Sequence, residues 1–356
     1  LITFVQSRDE WKYRAELEQI FDEVILVSQY QWKSVWECVK AIPSQLPFQL
    51  AYFRNKKFRK LLESTIERVQ PDAIHTQHLR MSQYTQDISL PVILDLPDAY
   101  SLYWKRRKKL KRPFLNRIFD RLESKRVTRY EKVVRQYAMN LVCSVEDLHY
   151  MRETHPSARM ELLRNGVDLD TFKASDHDYS HNHTLLFTGN MDYAPNVDGV
   201  VHFVNHVLPR IRKAFPQVGF RIVGQRPVKA VLDLAGDNVE VTGFVEDLAA
   251  VYNEASVVVA PLRFGAGTQN KVIESMAMGV PVVCTNIGFK GLEIESGEGA
   301  IMAAEDEDFV EAVIALLQSE EKRKEVGQKG LQKAVTSYGW EAQSLILEGY
   351  FKEITA

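Results

Sequence analysis

Cysteine is scarce: Cys38, Cys143 and Cys284 are the only three in 356 residues, each about a hundred positions or more from the next. No CxxC pair occurs, so a disulfide scaffold, a thiolate metal site and a redox dithiol are excluded. The thiols read as buried groups of a reducing compartment. Long apolar runs are missing as well. None approaches the ~18 residues of a membrane-spanning helix, and no signal-peptide pattern opens the chain, which predicts a soluble, cytoplasmic protein. Neither charge is in excess: 45 Lys and Arg against 47 Asp and Glu leave −2, too little for a general polyanion binder. Repeats of fixed period and low-complexity segments are absent. What remains is ordinary globular composition, 45% hydrophobic and 26% charged. The length exceeds that of a usual single domain, so two domains with separate cores are expected.

Short β-rich apolar runs alternate with amphipathic stretches. The pattern predicts strands at Leu1–Gln6, Glu23–Ser28, Phe48–Phe53, Ala73–Gln77, Val92–Leu96, Asn140–Ser144 and Met160–Leu163. A second set follows at Leu185–Thr188, Phe220–Val223, Val239–Thr242, Val257–Ala260, Val282–Thr285 and Ala300–Ala303. Helices are predicted over Asn55–Val69, through much of Ser101–Gln136, and from Asp306 onward with a break near Ser337–Gly339. Ser144 followed by Asp147 is a capping-box pattern that starts a further helix. Strand–helix alternation of this kind makes parallel sheets covered on both faces. The reading is an N-terminal domain over 1–172, a polar linker over 173–183, a C-terminal domain over 184–336, and a final helix over 337–356 returning to the first domain. The chain opens on a bare strand without Met, which predicts that an upstream element is missing.

The segment from Val257 to Val283 carries most of the chemistry. It reads as a buried strand, a glycine-rich turn, a helix, a Gly stop, a Pro and a second buried strand. Gly265 and Gly267 permit close backbone approach. The amides of Gly267, Thr268 and Gln269 open a helix, so unpaired donors and the positive dipole end suit a phosphate there. Arg263 and Lys271 add two positive charges. Glu274 lies ~9 Å further along the axis at 1.5 Å per residue, the span from a pyrophosphate to the ribose of the same nucleotide. Its carboxylate either accepts the ribose hydroxyls or is a solvated helix residue above a tight turn.

This segment resembles the donor-site signature of glycosyltransferase family 4. Glu274-Ser-Met-Ala-Met-Gly-Val-Pro-Val-Val283 is similar to that family's E-A-M-A-x-G-x-P-V-V. Other landmarks follow in order: Asn165-Gly-Val-Asp168, Leu186-Phe-Thr-Gly-Asn-Met191, Arg221-Ile-Val-Gly224 and Val241-Thr-Gly-Phe-Val245. Met191, Pro195-Asn196 and Gln269-Asn-Lys271 resemble sugar transferases of bacterial exopolysaccharide clusters. The resemblance is dense in the C-terminal half and a matter of pattern only in the N-terminal half.

The resemblance implies an α/β fold of the GT-B type, two Rossmann-like domains with parallel sheets facing across a cleft. It implies a retaining, hexosyltransferase-type enzyme that moves sugar from a nucleoside-diphosphate sugar to a lipid-linked or polysaccharide acceptor, with no metal and no cofactor. The alternatives are a GT-B sugar-nucleotide epimerase and a non-catalytic nucleotide-sugar-binding protein. Donor-binding positions are Gly189, Asn190, Gly224, Phe244, Val245, Gly265, Ala266, Gly267, Thr268 and Gln269. Phe244 has simple packing as its alternative. Glu274, Arg263, Lys271 and Asp98 are the catalytic candidates.

Two departures from the family pattern stand out. The family carries a second Glu eight positions before the one matching Glu274, where this chain has Ala266. Its phosphate-binding Arg and Lys fall on Asn190 and Pro195, so Arg263 and Lys271 are expected to supply that charge. Members also begin one strand earlier, which implies a first domain lacking its first strand, an unpaired strand edge, and donor binding with little transfer.

In the N-terminal half, Asp95 and Asp98 end a buried strand where family members often carry a His. Asp98 has a helix N-cap as its other reading. His78 ends another strand and either lines the acceptor side with Asp95 or is a satisfied core residue. His177, His181 and His183 lie in the linker, and His202 and His206 on one helix face; both groups read as polar surface rather than metal ligands. Finally, Trp104 to Arg117 holds eight Lys and Arg residues interleaved with Trp104, Leu110, Phe114 and Leu115. It reads as a solvated helix face or as a contact for an anionic membrane on the inner face of the plasma membrane. No nucleic-acid reading motif accompanies it.

Overall fold

The computed structural model describes residues 1–110, 113–174, 177–181 and 183–356. Lys111 and Arg112 of the basic stretch, and Ser175, Asp176 and Asn182 of the predicted linker, lie outside the described residues. Two compact units emerge. One comprises Leu1–Leu141, Met151–Glu161 and Phe351–Ala356; the other comprises Val142–Tyr150 and Leu162–Tyr350.

The first unit contains β1 (Ile2–Val5) and β2 (Ile25–Ser28), paired in parallel as a two-stranded sheet. A four-stranded sheet follows in the order β3 (Ile74–Gln77), β4 (Val92–Leu96), β5 (Met139–Val142) and β6 (Met160–Leu162). Around these strands run α1 (Gln31–Lys40), α2 (Phe48–Tyr52), α3 (Lys56–Val69), α4 (Tyr100–Arg107) and α5 (Phe114–Tyr130), whereas α6 (Val145–Thr154) starts in the segment 142–150 that belongs to the second unit. Asn55 caps α3 by accepting the amides of Lys57 and Phe58, and Ser144 Oγ accepts the Asp147 amide at the start of α6.

The strand predicted over Phe48–Phe53 is instead the helix α2. Its apolar run matches a buried strand equally well in sequence. The fold decides otherwise because the buried carboxylate of Glu123, in α5, accepts the amides of Phe48 and Gln49 at 3.0 and 3.2 Å. That acceptor closes the first turn, which has no side-chain cap of its own. Asp98 is not an N-cap either. Ala99 occupies the cap of α4, and the buried Glu131 accepts from both the amide and the hydroxyl of Ser101.

The second unit is one six-stranded sheet, parallel throughout, ordered β12-β11-β10-β7-β8-β9. Its strands are β7 (Thr184–Thr188), β8 (Gly219–Val223), β9 (Val239–Gly243), β10 (Val257–Ala260), β11 (Val282–Cys284) and β12 (Ala300–Met302). All four residues of β10 are buried, as a strand covered on both faces requires. Connecting helices include α7 (Ala194–His202), α8 (Leu208–Ala214), α9 (Leu248–Asn253) and α10 (Asn270–Ala277); the chain ends with α11 (Asp306–Gln318), α12 (Glu320–Ser337) and α13 (Trp340–Thr355). A π-helical turn over Phe203–Val207 joins α7 to α8. Pro209, without an N–H, cannot continue the α-helical ladder, and the wider turn absorbs the mismatch. One core packs Phe187, Phe203 and Phe220 on one face of the sheet; another packs Tyr252, Met276 and Tyr338 on the other.

Candidate functional site: the switch point of the second sheet

The chain leaves β7 toward β8 and β9, then returns to build β10, β11 and β12 on the opposite side. Neighbouring strands β7 and β10 therefore send their following loops to opposite faces, and a crevice opens between the loops at the carboxyl ends. Gly189 follows β7 with φ +149°, and Gly224 follows β8 with φ +154°. A Cβ on Gly224 would lie 1.7 Å from the Gly189 carbonyl oxygen, so only glycine lets these two backbones meet. Asn190 is held at both ends. Its side-chain oxygen accepts from Gln225 Nε2 at 2.9 Å, and its carbonyl from Asn196 Nδ2 at 3.0 Å.

The loop after β10 corrects one expectation. Gly265 and Gly267 do adopt positive φ, +149° and +73°. The amides ahead of the helix are nonetheless not all unpaired. Gly267 N–H donates to Asp147 Oδ2 at 2.8 Å, and Thr268 N–H to Cys143 Sγ at 3.3 Å. Thr268 Oγ1 adds a bond to the Cys143 carbonyl at 2.7 Å. The loop is thus pinned to the buried Cys143 and Asp147, and Ala266 is buried within it. Gln269 is the N-cap of α10, leaving the first-turn donors to Gln269, Asn270 and Lys271.

Lys271 is buried, with Nζ 5.0 Å from the Phe187 ring centre and 3.4 Å from both Asn196 Oδ1 and Gln269 Oε1. Burial lowers its pKa from the ordinary 10.5 to about 8, and the nearby Glu274 carboxylate offsets only part of this. One turn on, Glu274 Oε2 accepts from the phenol of Tyr252 at 2.8 Å. Burial raises the Glu274 pKa, opposed by the Tyr252 bond and by Lys271. Tyr252 is fully buried on α9 and also meets Thr188 Oγ1 at 2.7 Å. A buried amine, a half-buried carboxylate and an oriented phenol thus converge at the switch point.

Residues 182–319 match the family described as Glycosyl transferases group 1. The matched segment is most of the second unit's six-stranded sheet and its connecting helices, so that part of the chain is similar to the group 1 domain. Two curated relatives are 27% identical: an uncharacterized 44.6 kDa protein in the cps region of Klebsiella pneumoniae, over 38% of this chain and 37% of its own, and phosphatidyl-myo-inositol mannosyltransferase of Mycobacterium leprae, over 50% and 49%. The chain spans about half the length of these relatives or less. Among solved structures, sucrose-phosphate synthase from Thermosynechococcus elongatus superposes with a TM-score of 0.69 at 17% identity, covering 84% of this chain and 77% of that one. Anabaena HepE in complex with UDP gives 0.69 at 13%, covering 99% and 92%. The fold is GT-B.

Within residues 182–319, the remaining predicted residues scatter. Arg263 is held in a bidentate pair with Asp198 at 2.7 and 2.6 Å, so its charge is already matched. Phe244 is 73% exposed beside Gly243 at φ +75°, whereas Val245 packs against the core. Sequence reasoning did not single out Tyr252 or Asp198, and gave Asn196 only a place in a family landmark and Asp147 only a capping role. Each acts on a residue it did single out, but from a different element and at 22 to 120 positions' remove.

In the first unit, His78 has φ +73° and ψ 142°, unusual for a residue with a side chain. Its Nδ1 lies 3.2 Å from the Tyr100 hydroxyl, and burial, with Arg80 adding to it, lowers its pKa to about 4. Asp95 Oδ2 lies 3.3 Å from His75 Nε2, and Asp98 is half-buried two residues before the half-buried Tyr100. Among the described residues no helix is long and apolar enough to cross a membrane.

Proposed function

We propose that this chain transfers a sugar from a nucleoside-diphosphate sugar to a glycan or lipid-linked acceptor of bacterial exopolysaccharide type, with retention of configuration and without a metal. The observation that carries the reading is the Lys271–Glu274–Tyr252 group at the switch point of a parallel sheet. In this reading Lys271 meets the diphosphate, where a charge in a buried setting acts more strongly than in water. The free oxygen of Glu274 takes the ribose hydroxyls while Tyr252 holds the other. Gly189 and Gly224 let backbone approach the ligand, and Val245 and Phe244 border the base. Arg263 contributes only on exchanging Asp198 for phosphate. His78, Asp95 and Asp98 are assigned to the acceptor, and residues 104–117 to an anionic membrane surface, giving a peripheral enzyme on the cytoplasmic side.

The test is calorimetry of the chain with UDP, GDP and ADP, followed by mass spectrometry of a candidate acceptor incubated with the matching nucleotide sugar. Tight binding of one diphosphate, with transfer to the acceptor, supports the proposal. Absence of binding to any of them removes it, and conversion of the donor without an acceptor points to the epimerase.

A further inference from the structure

Two helices of the first unit are built inside out. In α1 the residues turned inward are small: Ser34 is fully buried, Ala41 just beyond the helix is buried, and Cys38 Sγ reaches the Phe48 carbonyl. The large apolar residues Trp32, Val35, Trp36 and Val39 face solvent, with Trp32 69% exposed. α5 repeats the inversion. Asp120, Glu123 and Ser124 are buried, while Leu115, Ile118 and Leu122 stand outside, Leu115 at 76%. A surface helix ordinarily does the reverse, turning its apolar stripe to the core. Leaving such side chains in water forgoes the stabilisation that their burial would bring, so a doubled inversion marks a face that is covered in use.

The helices are neighbours. Arg126 of α5 donates to the carbonyls of Ile42 and Leu46, on the segment leaving α1. The rings of Phe48 and Phe119 stack 5.6 Å apart. Charge identifies the occupant. Lys105, Lys108 and Lys109 are exposed just ahead of α5, while Arg107 between them is paired with the buried Asp120 at 3.0 Å. On α1, Lys33 Nζ sits 5.3 Å from the Trp32 ring centre, and Lys40 Nζ, paired with Glu37 at 2.7 Å, 5.8 Å from that of Trp36. Indoles and aliphatic side chains bordered by cations match the headgroup boundary of an anionic bilayer, where apolar side chains enter and ammonium groups stay at the phosphates.

We propose that α1 and α5 together form one docking surface for an anionic lipid bilayer, with Trp32, Trp36 and Leu115 entering the headgroup layer and the exposed Lys108 and Lys109 meeting lipid phosphate. This deepens the membrane reading of residues 104–117 by adding an element remote in sequence, and it is independent of what the second unit binds.

The test is flotation of the full chain with phosphatidylcholine vesicles containing about one third phosphatidylglycerol, against phosphatidylcholine alone. The chain should float with the anionic vesicles at low salt and release as salt rises. The double variant Trp32→Ser/Trp36→Ser should bind at least about tenfold less, and so should Leu115→Ser/Ile118→Ser, since each removes two apolar anchors. Both should keep the parent's circular dichroism and UDP affinity. No flotation at low salt, or a Trp double variant that floats like the parent, overturns the proposal. So does lipid-free self-association that the Trp double variant abolishes, which would assign the face to a second copy of the chain. Flotation without UDP binding leaves this proposal standing and strikes the transferase reading instead.

Discussion

Tyr252 donates its phenol hydrogen to Oε2 of Glu274 across 2.8 Å, from a fully buried position on the preceding helix. Since that hydrogen is committed, Thr188 must be the donor in the 2.7 Å contact between Thr188 Oγ1 and Tyr252. A directed chain therefore runs from Thr188 through Tyr252 to the carboxylate, and one carboxylate oxygen stays free to accept from a ligand.

Removing that hold is the first prediction. Tyr252→Phe should weaken UDP and uridine alike by ~1–2 kcal/mol, the scale of one hydrogen bond to a charged group. Glu274→Gln should cost ~1–3 kcal/mol for both ligands. Calorimetry of the two variants decides this, and unchanged affinity in Glu274→Gln would remove the ribose assignment.

Lys271 gives the second. A buried amine whose pKa has fallen from 10.5 to about 8 destabilises the folded chain at neutral pH. Lys271→Met should raise the stability of the ligand-free protein by ~1–3 kcal/mol while abolishing the preference for UDP over uridine. A denaturant titration beside the calorimetry reads both. A destabilised variant would mean that the ammonium has a structural partner.

The third concerns pH. Between about 8 and 10.5 the unfolded chain keeps the Lys271 proton and the folded chain has lost it. The unfolded state then binds more protons, so this group makes stability rise with pH across that window. Diphosphate binding favours the protonated amine, so affinity should hold below about 8 and fall by up to about tenfold per pH unit above it. Glu274 acts at the other end: its raised pKa places the acid loss of ribose binding above the ordinary carboxylate range. UDP affinity flat from pH 7 to 10 would contradict the Lys271 assignment.

A fourth test is steric. Gly224→Ala sets a Cβ 1.7 Å from the Gly189 carbonyl oxygen at φ +154°. The strand ends must separate, and a loss of more than ~3 kcal/mol is expected. A thermal melt within a few degrees of the parent would show that the close approach can relax.

Much of the fold was legible because its strands are buried on both faces, so that Val257–Ala260 and Val282–Cys284 read as unbroken apolar runs. Gly265, Lys271 and Glu274 were legible for another reason: one short segment holds them, and their spacing is local. The segment 48–53 was misread because its propensities are balanced and the deciding acceptor, Glu123, belongs to another helix. The amides of Gly267 and Thr268 were misjudged on the same ground, since Asp147 and Cys143 come from 120 and 125 positions away. Arg263 was recognisable as a cation, but Asp198 became its partner only once the loop after β10 met α7.

The hold of Glu123 on the start of α2 also bears on synthesis. The acceptor follows Phe48 by 75 positions, so a nascent chain exposes residues 48–52 well before the carboxylate that closes their first turn exists. Until α5 emerges, that segment has no partner for its leading amides and no reason to prefer a helix over an extended strand. The contacts of Gly267 and Thr268 have the opposite timing, because Asp147 and Cys143 are already made when the glycine-rich loop leaves the ribosome. Vectorial synthesis therefore favours the glycine-rich loop and penalises α2, and fragments ending before residue 123 should be the ones that chaperones retain.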